Sequence, residues 1–276
     1  MPDLLRHPAG VAGTLLLLIL TVAVVAGPVL APYDPQAFHT LARLQGPSLP
    51  HWLGTDQFGR DLLSRVLQGA RATVLFGVGA TLGGVAAGSL IGVTAGVLGG
   101  WVDSVIMRLL DGLLAVPDLL LTLLIVTVLG GGGGHAMLAV AVAFTPGLAR
   151  IARSAVLSVR TREFVQAAIA RGEGRGYIIA REVLPNAIGP LIIEATIRVS
   201  FAIMIGATLG FLGLGAQPPS TEWGLMIAEA RQYMFRNPWC VVVPGVAIAI
   251  SALGFNLTGD ALRDLLDPRL RHAASR

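Results

Sequence analysis

Six apolar runs, each near the length that crosses a bilayer, constrain this chain more than any other feature. A hydrocarbon layer of about 30 Å needs about 20 helical residues to span it. Val11–Leu30 and Thr73–Leu98 meet that length without a charge. Leu109–Leu129 meets it despite Asp111 and Asp118, and Ala136–Leu157 carries Arg150 and Arg153 in its second half. Ile192–Leu214 and Trp239–Leu257 complete the set. Within hydrocarbon a segment must satisfy its own backbone hydrogen bonds, so runs of this length predict helices. The expected fold class is an all-α integral membrane protein with six transmembrane helices. Composition agrees: the chain is 54% hydrophobic and 13% charged, whereas soluble domains carry about 25% charged residues. Val11–Leu30 is longer than a signal-peptide core and no small-residue cleavage site follows it, so it reads as a retained span. An even number of spans places both termini on one side.

Arginine orients the bundle. All 20 basic residues are arginine. The lysine of a phosphate-binding loop, a Schiff-base lysine and a lysine general base are therefore excluded together. With the N-terminus inside, the cytoplasmic segments hold Arg6, Arg108, the group from Arg150 to Arg181 and the tail from Arg263 to Arg276. The external segments hold Arg43, Arg60, Arg65, Arg71, Arg231 and Arg236. The excess inside follows the positive-inside rule and predicts cytoplasmic termini in a multi-pass protein of the cytoplasmic membrane. The same rule accounts for the pI near 10.2 without a nucleic-acid partner. Cys240 stands alone, the five histidines are scattered over termini and loops, and no metal-binding or catalytic motif is present. No catalytic residue and no metal site are expected.

The stretch from Glu163 to Pro185 is charged, glycine-punctuated and set between two apolar runs. It must leave the bilayer, and the arginine count places it in the cytoplasm. It reads as two short amphipathic helices, Glu163–Ala170 and Tyr177–Leu184, broken by Gly172, Gly174 and Gly176 and closed by Pro185. Small Ala167 and Ala168 would let a partner surface approach the backbone. Two external segments, Ala31–Ala70 and Ala216–Asn237, have the turn residues and patterning of ordered structure.

Ionisable and polar residues inside apolar runs are candidates for a pathway, since they should face protein or water. They are Asp118 after Pro117, Glu194 and Arg198 four residues apart on one helical face, and Asn256 in the last run. Each reads either as a structural pair or cap or as a pathway residue. Gly84, Gly88, Gly92, Gly96 and Gly100 recur every fourth residue, a stripe that lets two helix backbones approach closely. It suits packing within the chain, a subunit interface or a sliding gate. The glycine run Gly131–Gly134 reads as a flexible external turn.

Four segments carry a resemblance: LGTDQFGRDLLSR at Leu53–Arg65, QAAIARG at Gln166–Gly172 with LPN at Leu184–Asn186, GFLGLGAQPPSTEWG at Gly210–Gly224, and GDALRDLLDPRLR at Gly259–Arg271. With these the chain resembles, over nearly its whole length, the inner-membrane permease subunit of binding-protein-dependent ABC importers, in the branch for dipeptides, oligopeptides and nickel. The resemblance implies a type I importer permease fold. An N-terminal helix and external segment would occupy 1–70, a core domain 71–260 with its coupling loop at 158–190, and a cytoplasmic tail 261–276. It implies that Glu163, Gln166, Ala167, Ala168, Gly172, Leu184 and Pro185 belong to a loop docking on an ATP-hydrolysing subunit. Gln166 stands where the family signature has glutamate and carries no charge for a salt bridge at that position. The implied partners are a second, paralogous permease, two ATP-binding subunits, an external substrate-binding protein and the lipid membrane. ATP and magnesium would bind the partner subunits, and this chain would hold no cofactor and no ATPase site. The implied cargo is short peptides, with nickel or another small solute in the same importer class, or an ion-coupled carrier or channel, as alternatives.

Overall fold

The structure, a computed structural model, describes residues 8–266. Arg6, His7 and the tail 267–276, with Arg269, Arg271, His272 and Arg276, lie outside the described residues. All regular structure among the described residues is helical. Five helices are long and apolar enough to cross a membrane, and a sixth crossing is available to a bent pair.

α1 (Pro8–Leu30) lies along α10 (Trp239–Leu266) and touches α2 (Leu62–Leu98). Gly13 admits Thr258 of α10 and Gly27 admits the Leu67 carbonyl of α2. The rest of α1 exposes Leu15, Leu18, Ile19, Val22, Val25 and Val29, as suits a lipid-facing helix. The centre of the bundle is formed by α2, α5 (Gly133–Arg160) and α8 (Leu184–Phe211), which pack on one another. α2 has 37 residues, about 55 Å of helix, so its first turns rise beyond the apolar run that begins at Thr73. Gly133 and Gly134 lie inside α5, so the glycine run is only half a turn; its second half opens a helix.

The third apolar run is not one straight helix. α3 (Gly100–Leu114) and α4 (Asp118–Leu129) meet at 89°. Pro117 has no N–H for a helical bond and ends the first helix while starting the second. α4 packs on α5. Twelve residues of α4 cover about 18 Å, less than the hydrocarbon thickness.

The segments Ala31–Ala70 and Ala216–Asn237 interlock. Asp56 bonds the Phe58 and Arg60 N–H groups at 2.8 and 2.9 Å, and Gly59 (φ 78) turns where a Cβ would strike the His39 backbone. Asp61 then caps α2 by accepting from the Ser64 N–H at 2.8 Å. Against this turn sit α9 (Trp223–Ala230) and Asn237, whose Nδ2 donates to the Gln45 and Thr55 carbonyls. Trp223 is buried and its Nε1 donates to the Val66 carbonyl at 3.0 Å.

Candidate functional site

The segment between α5 and α8 emerges at the end of the bundle opposite the interlocked segments Ala31–Ala70 and Ala216–Asn237. α6 (Glu163–Ala170) has the bounds that local patterning predicts. Val165 and Ala168 are buried, next to a cluster of Val156, Val159, Val183 and Ala187. The opposite face, with Glu163, Gln166, Ala167 and Ala170, is exposed. Ala168 is therefore an internal contact at 0% exposure, and only Ala167 of that pair is open to a partner. Gly172 (φ 80) closes α6: its N–H donates to Ile169 and the Glu173 N–H to Ala168, the paired bonds of a glycine helix stop.

The second helix departs from expectation. α7 (Arg175–Tyr177) leads into a π-helical turn, Ile178–Val183, which runs on into α8. Pro185 does not end a helix; it lies in the first turn of α8, within the helical path that runs on from Ile178, so its missing N–H removes one backbone bond there. In the wider turn Leu184 N–H reaches back five residues to the Ile179 carbonyl. Asn186 Nδ2 donates to the Glu182 carbonyl at 2.7 Å. Leu184 and Pro185 are exposed.

Gln166 acts through its nitrogen: Nε2 donates to the Arg160 carbonyl at 3.1 Å, and Arg160 Nη1 donates to the Gly96 carbonyl at 2.9 Å. A glutamate has no proton to give there. A cleft of about 850 Å³ adjoins these residues, with Val97, Val156, Ile169 and Glu173 in its wall.

Three of the four polar candidates converge. Arg198 Nε donates to Glu194 Oε1 at 3.0 Å and Nη1 to Asp118 Oδ2 at 3.1 Å. Its guanidinium lies over the Phe144 ring, 4.8 Å from the centroid, and Gly147 leaves room for it. Arg198 is 14 residues from Leu184 and 13 from Phe211, about 20 Å from either end of α8, so it lies midway along that helix. Two carboxylates share one guanidinium, and ionisable groups inside an apolar run must face protein or water. Asn256 lies half-buried on α10 and takes no part in this cluster.

Sequence reasoning missed two similar pairs. Arg153 binds Asp103 and Arg150 binds Asp111, so α3 and α4 are held to α5 and α8 by three arginine–aspartate contacts. The available signal was an acidic apolar run followed by a basic one. It also missed the ring in which Glu229 of α9 accepts from Arg60 (2.9 Å) and Arg65 (3.1 Å) while Asp56 faces both arginines. Arg65 is 2% exposed. Two charges of each sign close on themselves, as buried ions must. Among the described residues no three His, Cys, Asp or Glu side chains gather as a metal would need.

The glycine stripe faces α5. A Cβ at Gly84, Gly88, Gly92 or Gly96 would meet the carbonyl of Ala141, Thr145, Ala149 or Arg153 respectively. The period of four on α2 thus matches a period of four on α5, and the backbones touch. Gly100 lies beyond the end of α2, as the first residue of α3, with open space around it. Between α2 and α8 runs an apolar groove of about 660 Å³, with Val78, Leu82, Val85, Ile188 and Ile192 in its walls.

The geometry has close counterparts among known proteins. Residues 88–272 match the family described as binding-protein-dependent transport system inner membrane component, and residues 3–47 match the N-terminal transmembrane domain of oligopeptide transport permease C. The probable D,D-dipeptide transport system permease protein DdpC of Escherichia coli K12 is 44% identical over 95% of this chain and 88% of its own. The dipeptide transport system permease protein DppC of Alkalihalophilus pseudofirmus is 40% identical over 98% and 88%. The glutathione transport system permease protein GsiD of Pectobacterium atrosepticum is 39% identical over 96% and 88%. In fold, the chain is similar to the methionine ABC transporter MetNI in an inward-facing conformation, with a TM-score of 0.61 at 19% identity over 74% of this chain and 97% of that one. A bundle of this architecture, matched over two thirds of its length by one family and over nearly all of it by that family's members, belongs to the inner-membrane components of binding-protein-dependent transport systems.

Proposed function

We propose that this chain is the permease subunit of an ATP-driven importer of short peptides. It would pair with a paralogous permease across the membrane, with both termini in the cytoplasm. Two separate ATP-binding subunits, carrying ATP and magnesium, would dock on the exposed face of α6. An external substrate-binding protein would engage the interlocked segments Ala31–Ala70 and Ala216–Asn237. The observation that carries the reading is α6 itself: a short helix anchored by Val165 and Ala168, with Glu163, Gln166 and Ala167 presented outward at the end of the bundle. The relatives named for dipeptides, di/tripeptides and glutathione support a peptide cargo. With no lysine in the chain, a phosphate-binding loop of the usual kind is missing, which suits fuel burned on other subunits. Closure of those subunits on ATP would displace α6 and change the side to which the pathway opens.

The test is uptake of labelled di- and tripeptides by vesicles holding the complete complex. Uptake that requires ATP, the ATPase subunits and the binding protein supports the reading. Uptake driven by an ion gradient in vesicles lacking the ATPases would falsify it and favour a carrier. Transport of a nickel chelate without peptides would keep the importer class and change the cargo.

A further inference from the structure

The last four carbonyls of an α-helix have no partner within it. At the end of α2 the Ala95 carbonyl accepts from Gly99 N–H, and the Gly96 carbonyl accepts from Arg160 Nη1 at 2.9 Å. At the end of α5 the Arg160 carbonyl accepts from Gln166 Nε2 at 3.1 Å. A side chain of α6 thus closes α5, and the residue it closes reaches over to close α2. The cationic group at two helix C-termini also suits their negative ends. α2 and α5 are already one body, since the glycine stripe lets their backbones touch.

The other end of the loop is built in the opposite way. Ile178–Val183 is a π-turn, a wide form rare in helices and frequent at functional sites. Pro185 and Pro190 then withdraw two backbone donors from the turns that follow. The Glu182 carbonyl is held by the Asn186 side chain rather than by backbone alone.

We propose that Gln166 and Arg160 are positioning residues forming a stiff joint between α6 and the α2–α5 pair, while the Ile178–Val183 turn is a compliant joint to α8. Motion of α6 is then passed whole to α2 and α5, which turn against α8. The inference rests on the proposed function for its transport readout, and a second measurement is independent of the cargo.

In the reconstituted complex, Gln166→Glu and Gln166→Ala should lower peptide imported per ATP hydrolysed by about three- to tenfold, the range of one net hydrogen bond. KM for peptide should stay unchanged, which general misfolding would not spare. Arg160→Gln should act likewise, and Arg160→Lys, which keeps a donor, should recover part of the loss. Gln166→Glu importing as much per ATP as the parent overturns the proposal, because Gln166 would then serve as the family's glutamate does. For the second measurement, spin labels on cysteines placed at Leu98, Ala170 and Ile188 report distances; Cys240 is buried and stays unlabelled. On nucleotide binding the Leu98–Ala170 distance should hold while the Ala170–Ile188 distance changes. A Leu98–Ala170 change as large as the other overturns the proposal even if peptides are not the cargo. Absent peptide uptake with the expected distances sinks only the peptide-import reading.

Discussion

Substituting Gly92 with alanine tests whether α2 and α5 touch through their backbones. An ideal Cβ at Gly92 would overlap the Ala149 carbonyl oxygen and lie 2.8 Å from Ala152 Cβ and 2.9 Å from the Ala149 carbonyl carbon. A backbone oxygen in mid-helix cannot swing aside as a side chain can, so the two helices must part. Overpacking of this kind costs about 1–3 kcal/mol. Alanine recovers about 1 kcal/mol over glycine in a helix interior. The upper end applies where the obstacle is backbone, so Gly92→Ala should lose about 2 kcal/mol. At Gly84 the nearest atoms stand at 3.1, 3.1 and 3.2 Å, so shifts of a few tenths of an ångström suffice and Gly84→Ala should be near neutral. Gly100 has nothing within 4 Å but a φ of 55, so Gly100→Ala should cost about 1 kcal/mol from backbone strain alone. Reversible unfolding of the purified chain in mixed micelles, followed by circular dichroism, gives the order. Gly92→Ala proving as stable as Gly84→Ala would refute the close backbone contact.

The α5–α8 loop and the interlocked segments yield three more expectations. Gly172→Arg should leave the chain inserted and abolish ATP-coupled uptake, whereas Gly172→Asn, which tolerates the left-handed φ, should retain most of it; equal loss in both points to strain, not docking. Glu229→Ala should cost about 3–5 kcal/mol because two buried arginines lose their shared carboxylate, read as a fall in thermal midpoint. Burial raises the Glu222 pKa, against the pull of its bonds to the Gly224 and Leu225 N–H groups. A raised acid is most stabilising below its unfolded value and loses that contribution as pH climbs through the folded one. The wild-type midpoint should therefore fall relative to Glu222→Gln as pH rises from the ordinary glutamate range towards neutrality, and a rise would reverse the assignment.

What was legible in the sequence was what local pattern decides. The six apolar runs correspond to five spanning helices and the bent α3–α4 pair, and α6 begins and ends where Glu163 and Gly172 say it should. The Gly84–Gly96 spacing translates directly into a helix contact, whereas Gly100 keeps the period on paper but falls past the end of α2. The break at Pro117 was visible as a proline within an apolar run, yet its 89° angle depends on where α5 and α8 hold Asp103, Asp111 and Asp118. The ring of Arg60, Arg65, Asp56 and Glu229 was illegible for a related reason. Arg60 and Glu229 are 169 residues apart, and each alone looks like a solvated loop charge; only the docked segments bury them. Gln166 could be read as a departure from glutamate, but that it donates rather than accepts depends on the end of α5 lying beside it.

The three aspartates of α3 and α4 also bear on how the protein is made. Their guanidinium counterparts belong to helices synthesised afterwards, Arg150 and Arg153 on α5 and Arg198 on α8. Until those helices emerge from the ribosome, the earlier segment carries uncompensated acids that lipid will not accept cheaply. It must wait at the insertion machinery or the membrane surface for later helices to release it. A defect in any of these arginines would then show itself as a chain degraded during birth rather than a transporter that runs slowly.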